Sequence, residues 1–137
     1  MWWIYALLSA LFAALTAIFA KVGVKNIDSD LATAIRTTVI FVIVWGIALI
    51  KGVVPNVQGL QKQTWIFLVL SGCATGLSWL FYFKALQIGK VAQVAPVDKL
   101  SVALAIVLSI VFLGEVITWK IAIGALMIVG GTIVLIV

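Results

Sequence analysis

The chain has 137 residues, of which 66% are hydrophobic and 9% are charged, which is too apolar for a small soluble domain and too hydrophobic for a disordered chain. It has no histidine and one cysteine, Cys73, so the composition excludes a disulfide framework and a Cys/His zinc site. The net charge of +5 comes from singly scattered cations, which argues against nucleic-acid binding, and we predict an integral membrane protein without metal or cofactor.

Five apolar runs follow one another along the chain, separated by short polar connections. Each run is long enough to cross the hydrocarbon core of a bilayer as a helix. The runs are continuous and do not alternate apolar with polar residues, which argues against a β-barrel. We therefore predict an all-α integral membrane protein with five transmembrane helices in one domain, residues 1–137. The helices are predicted at about residues 2–21, 31–51, 64–84, 91–113 and 118–137.

The second predicted helix follows a polar loop and carries a cation near its start. Ser29 or Asp30 is the predicted N-cap, because either side chain can accept a hydrogen bond from the first turn. Arg36 lies about one and a half turns into this helix. The arginine either reaches towards the lipid headgroups or pairs with an acidic group, such as that of an anionic substrate.

The third predicted helix carries a polar stripe, because four hydroxyl side chains recur at steps of four, three and four residues. A GxxxG motif lies on an adjacent face, and Trp79 lies between the two in projection. The stripe and Trp79 are candidates for lining a substrate cavity, whereas the glycines favour close helix packing. Alternatively, the hydroxyl groups serve only helix–helix contact. The stripe is Ser71, Thr75, Ser78 and Tyr82, and the glycines are Gly72 and Gly76.

The fourth apolar segment is interrupted by Pro96, Asp98 and Lys99. A charge at mid-bilayer costs at least ~2.5 kcal/mol, and Asp98 lies about 10 Å into this segment. Pro96 removes one helical hydrogen bond, so we predict a helix break beside an acid and a base that do not naturally face each other. Such a break favours a substrate or ion site, at which Asp98 binds and releases a proton. Alternatively, Lys99 snorkels and Asp98 caps the helix that restarts after Pro96.

Three further residues of the apolar runs have simpler interpretations. Thr16 in the first helix is a minor candidate for lining a cavity. Gly130 and Gly131 in the fifth helix are predicted to allow close helix contact.

No nucleophile has a neighbouring histidine, and no acidic pair suits metal-assisted hydrolysis, so an enzyme is not predicted.

The cations specify the orientation in the membrane only weakly. When the connections are assigned alternately to two sides, one side has three cations and the other has four, or five with Arg36. Two interpretations remain open, a single orientation with the N-terminus outside, or insertion in both orientations so that two copies pair antiparallel. The two sets are Lys51, Lys62 and Lys120, and Lys21, Lys25, Lys84 and Lys90.

Short motifs spaced along the whole chain are similar to those of a known transporter family. They lie at residues 3–14 with Lys21, at 34–36, 82–86, 94–96 and 113–115, and at 123–125 with Gly130 and Gly131. In this order and spacing the chain resembles one EamA domain of the drug/metabolite transporter superfamily.

The resemblance implies a secondary transporter. Most members of the family have two such domains, arranged as inverted repeats in ten helices, so a single domain is expected to pair with itself or with a paralogous half. We therefore expect a half-transporter in the prokaryotic inner or plasma membrane, which moves a small metabolite or drug-like solute by alternating access as an antiparallel homodimer. Its expected partners are the second copy, the lipid bilayer and the small-molecule substrate. The alternative is a non-transporting membrane subunit or scaffold.

Overall fold

The computed structural model describes residues 1–137 and contains helices and turns but no strand. Five stretches are long and apolar enough to cross a membrane, which confirms the predicted all-α membrane fold. The fourth of these spans is divided into two helices at Lys99, and a 3-10 helix, Val54–Gly59, lies in the connection before α3. The helices are α1 (Trp2–Gly23), α2 (Ser29–Ile50), α3 (Lys62–Ile88), α4 (Val91–Asp98), α5 (Leu100–Leu113) and α6 (Trp119–Ile136).

The start of α2 lies two residues earlier than predicted. Its N-cap is Asp28, so the prediction of Ser29 or Asp30 in that role is wrong. The Asp28 carboxylate accepts hydrogen bonds from the backbone N–H groups of Asp30 and Leu31, at 2.8 and 3.2 Å. Three cap-forming side chains follow one another here, and the first of them satisfies the free N–H groups, so the helix begins at Ser29.

α3 is longer than predicted at both ends and runs from Lys62 to Ile88. Lys84 therefore lies one turn before the end of the helix and does not close it. The physical reason is that residues 85–88 can all continue a helix, and Gly89 is the first poor helix former. The added turn brings Leu86 and Gln87 alongside the connection between α1 and α2.

The chain divides into two compact units. We name residues 20–87 the central unit, and residues 1–19 with 88–137 the terminal unit, so that α1 contributes to both. At most 11% of the most apolar stretch of each span is buried within the single chain. Most residues of each span therefore have surface that lipid or another membrane protein can contact.

The buried core of the central unit lies where α1 ends, α2 begins and α3 ends. Leu86 and Val24 are 0% and 1% exposed. The side-chain amide of Gln87 donates to the carbonyls of Val24 and Ile27, at 3.2 and 2.9 Å. The Lys21 ammonium donates to the Leu86 carbonyl. These hydrogen bonds fasten the α1–α2 connection to the end of α3.

Replacing Gln87 by leucine is expected to destabilise this core by about 1–3 kcal/mol, because each lost hydrogen bond contributes about 0.5–1.5 kcal/mol. The measurement is the free energy of unfolding in mild detergent, titrated with a denaturing detergent. Gln63→Leu changes an exposed glutamine near the other end of α3 and is the matched control. Equal losses of stability in the two variants would contradict the role assigned to Gln87.

In the terminal unit, α4, α5 and α6 pack against one another. Thr132 of α6 is 4% exposed, and its hydroxyl donates to the carbonyls of Ile128 at 2.8 Å and Pro96 at 3.3 Å. Pro96 lies inside α4, three residues before the division of the fourth span at Lys99, so Thr132 joins α6 to the last turn of α4.

Candidate functional site

An open groove runs between α2 and α3 in the central unit, with a volume of about 440 Å³. Most of its lining surface is apolar, although four of the six lining residues of α2 have a polar side chain, and its α3 wall is formed by a glycine and a leucine. We name it the α2–α3 groove. It is lined by Asp30, Thr33, Ala34, Thr37, Thr38, Phe41, Gly76 and Leu80.

The threonines of the α2–α3 groove present hydrogen-bond acceptors rather than donors. The hydroxyls of Thr33, Thr37 and Thr38 donate to the carbonyl four residues earlier, at 2.9, 2.8 and 3.0 Å. A hydroxyl whose hydrogen is engaged in this way still offers its lone pairs. Together with the carboxylate of Asp30, these oxygens suit a solute group that donates hydrogen bonds.

A second feature of the central unit joins α2 to α3 through an arginine and two aromatic rings. The guanidinium carbon of Arg36 lies 4.2 Å from the ring centroid of Trp79 and 5.1 Å from that of Phe83. Tyr82 meets Phe83 edge-on, with ring centroids 6.4 Å apart. The structure therefore brings together Arg36 and Trp79, two of the residues singled out in the sequence, as a half-buried cation–π contact.

The polar stripe of α3 lies on a different face from the α2–α3 groove. Gly76 lines the groove, whereas Ser71, Thr75 and Ser78 do not, and these three side chains are exposed in the single chain. The Thr75 hydroxyl donates to the Ser71 carbonyl at 2.9 Å. The prediction that the stripe faces a cavity therefore remains a prediction for a surface outside this groove.

The four glycines predicted to pack helices make no close contact within the chain. A Cβ placed on any of them would meet no atom within 4 Å, apart from its own helix backbone and chain neighbours. Gly76 instead leaves the α2–α3 groove open. The packing prediction therefore stands only for contact with another chain. The four positions are Gly72, Gly76, Gly130 and Gly131.

The acid and base of the fourth span form an ion pair, with Lys99 Nζ 3.2 Å from Asp98 Oδ2. Adjacent residues of a regular helix do not face each other, and this pair forms where the fourth span is divided at Lys99. The Lys99 N–H donates to the carbonyls of Ala95 and Pro96, at 3.3 and 3.0 Å, which tightens the last turn of α4. Lys99 is the N-cap of α5, so Asp98 does not cap the restarted helix.

Thr16 belongs to the terminal unit and is half-buried. Its hydroxyl donates to the Phe12 carbonyl at 2.8 Å, within the same helix. The residues predicted from the sequence thus fall into two sets, one with Arg36 and Trp79 in the central unit and one with Asp98 and Lys99 in the terminal unit.

The α2 wall of the groove was not predicted from the sequence. Asp30, Thr33, Thr37 and Phe41 recur at steps of three, four and four residues, the same periodicity that identified the stripe of α3. That periodicity was the available signal. Which face of α2 meets α3 depends on tertiary contacts, and periodicity within one helix does not contain them.

Comparison with known proteins agrees with the five-helix fold. The chain matches the EamA-like transporter family over residues 1–137. A protein of Sinorhizobium sp, described as an uncharacterized transporter in the cobO 3' region, is 48% identical over 134 residues, which cover 98% of this chain and 95% of that protein. No solved structure matches the chain.

These findings confirm the resemblance drawn from the motifs. The matched family and the description of the relative support a transporter role, which is not that of an enzyme. The family and the five apolar helices together indicate a multi-pass membrane protein. The chain belongs to the EamA-like transporter family.

Proposed function

We propose that the chain is a half-transporter of the prokaryotic inner or plasma membrane, which moves a small metabolite or drug-like solute by alternating access as an antiparallel homodimer. The α2–α3 groove is the observation that carries this proposal. It combines a carboxylate and hydroxyl oxygens with apolar walls, the mixture typical of small-molecule sites.

The shape of the groove favours a site completed by a second chain. It is open rather than enclosed, and a site that holds a solute away from lipid needs walls on all sides. A second copy supplies the missing wall, and rocking of one copy against the other would open the site to each side of the membrane in turn.

The ion pair in the terminal unit also favours a position against another chain or a water-filled cavity rather than against lipid. The side chains of Asp98 and Lys99 are 33% and 57% exposed in the single chain. Charged groups within a span almost always face the interior of a bundle or a water-filled cavity, because lipid does not solvate them. We therefore place Asp98 and Lys99 in the interior of the homodimer, as a candidate ion site.

The weak charge bias supports an antiparallel arrangement. A chain with five spans has its two ends on opposite sides, and its cations favour one orientation by only one or two residues. Insertion in both orientations would give the inverted pair that two-domain relatives achieve within one chain.

The orientation of the C-terminus tests this proposal. Cys73 is replaced by serine, one cysteine is added after Val137, and intact cells are labelled with a membrane-impermeant thiol reagent. We expect about half of the labelling found in permeabilised cells, because both orientations coexist in the dual-topology case.

Labelling near zero or near the permeabilised value would contradict the antiparallel homodimer, because the chain would then have one orientation. The Cys73→Ser chain without the added cysteine gives the background. In that outcome an inverted paralogous half, or a non-transporting role as a subunit of another membrane protein, would replace the proposal.

A further inference from the structure

Arg36 is a positively charged residue inside a membrane span. Its guanidinium contacts two aromatic rings and forms no ion pair with a carboxylate. We propose that its guanidinium binds an anionic oxygen group, a carboxylate or a phosphate, and that this group belongs to the transported solute. The second half of this statement rests on the transport function proposed above. The first half concerns binding alone and is tested separately.

The guanidinium lies well inside the span rather than at the headgroups. Arg36 is seven residues from the start of α2, about 10 Å along the helix, and Trp79 is nine residues from the end of α3, about 13 Å. A snorkelling arginine extends towards the nearer helix end. The Arg36 guanidinium instead lies 4.2 Å from the ring of Trp79, a residue that is itself about 13 Å from the end of α3.

No carboxylate of the central unit neutralises Arg36. The two candidates are Asp28 and Asp30, and neither forms an ion pair with it. Asp28 is engaged at the N-terminus of α2, where it accepts two backbone hydrogen bonds. Asp30 belongs to the α2–α3 groove. A half-buried cation that lacks a counter-charge attracts an anion, because burial weakens its solvation by water.

The contacts with the Trp79 and Phe83 rings are made by the face of the guanidinium and not by its hydrogen-bonding edge. Trp79 and Phe83 interact through their rings, and these contacts use none of the five N–H donors of Arg36. The planar fork of these donors matches the two oxygens of a carboxylate or phosphate. Holding the fork against a ring reduces the entropy lost on binding, so the rings preorganise an anion site.

The test is a binding measurement on the full chain in phosphatidylcholine nanodiscs. Inorganic phosphate and acetate are titrated separately at constant ionic strength, and tryptophan fluorescence is recorded. We expect a saturable change with each anion, which is absent from Trp79→Phe because Trp79 contacts the guanidinium. The absence of a saturable change in the unsubstituted chain would overturn the proposal.

Three substitutions assign the binding to Arg36. Arg36→Gln should weaken binding by about tenfold or more, the effect of losing a charge-assisted hydrogen bond. Arg36→Lys keeps the charge but loses the fork, so it should also bind more weakly, and it serves as the second variant if Arg36→Gln does not fold. Lys51→Gln removes one positive charge from the end of the same helix and should leave binding unchanged. Equal affinities in Arg36→Gln and the unsubstituted chain would overturn the proposal.

Two further comparisons distinguish a solute anion from a lipid headgroup, and the anion site from the transport function. Nanodiscs that also contain phosphatidylglycerol should give the same phosphate affinity, whereas competition by this lipid would overturn the assignment to a solute and identify a lipid headgroup. Binding that depends on Arg36, in a protein without transport activity, would contradict the transport function and leave the anion site intact. Transport unaffected by Arg36→Gln would leave the transport function intact and overturn the assignment of the anion to the transported solute.

Discussion

Gly76→Trp is expected to reduce solute transport to the background of cells without the protein, while leaving the protein folded in the membrane. Gly76 forms part of the α3 wall of the α2–α3 groove. An indole at this position would occupy the space proposed for the solute. The measurement is export of the solute that cells expressing the unsubstituted protein release in excess, followed by its uptake in proteoliposomes.

The structure explains why this substitution tests the site rather than the stability. A Cβ on Gly76 would meet no atom within 4 Å outside its own helix and chain neighbours, and the residue lies within α3. Glycine in a helix interior is less stable than alanine by roughly 0.5–1 kcal/mol, so Gly76→Ala should be slightly stabilising. Transport should therefore decrease in the order of side-chain size, from alanine through leucine to tryptophan, without a parallel loss of protein.

Gly46→Leu is the matched control for the leucine member of this series. Gly46 also has open space around it and lies within α2, but it does not line the groove. Its substitution should leave transport largely unchanged. If Gly76→Leu reduced transport only by dissociating the proposed homodimer, as measured by the mass of the protein in detergent, the groove would be a helix-packing surface and the proposed solute site would be wrong.

The fold was predictable because the bilayer restricts spans to a narrow range of lengths. Each apolar run had to form a helix, since unpaired backbone groups are not tolerated in lipid. The start of α2 was less predictable, because Asp28, Ser29 and Asp30 all cap helices well, and the choice among them depends on local backbone geometry. The number of spans was therefore predicted correctly, and the errors lie at helix ends, chiefly the start of α2 and both ends of α3.

Residues of the candidate site were predictable only where a charged side chain lies within an apolar span. Arg36, Asp98 and Lys99 stand out because charges are costly inside a span. The contact of Arg36 with Trp79 joins residues far apart in the sequence, so it depends on how α2 and α3 pack. The Asp98–Lys99 pair depends on the break of the fourth span, and the geometry of a regular helix is not valid there.

Removal of the charge of Asp98 is expected to have the second large effect. Asp98→Asn leaves Lys99 without its partner at 3.2 Å. An unpaired lysine at the centre of a span costs about 2.5–3.5 kcal/mol on insertion. The amount of protein in the membrane should therefore decrease, and transport should decrease further than the amount of protein if Asp98 exchanges an ion. Both quantities are measured on the same cells, by quantitative blotting and by solute export.

The double variant Asp98→Asn with Lys99→Gln separates a structural role from an ionic role. It removes both charges together, so the cost of an unpaired charge disappears and the amount of protein should recover. Transport should not recover if the proposed ion exchange needs the Asp98 carboxylate, because that carboxylate is absent. Glu115→Gln, outside the spans in the turn between α5 and α6, is the control for loss of a carboxylate. Recovery of transport in the double variant, or a transport rate that is independent of pH and survives Asp98→Asn, would leave the ion pair with a structural role alone.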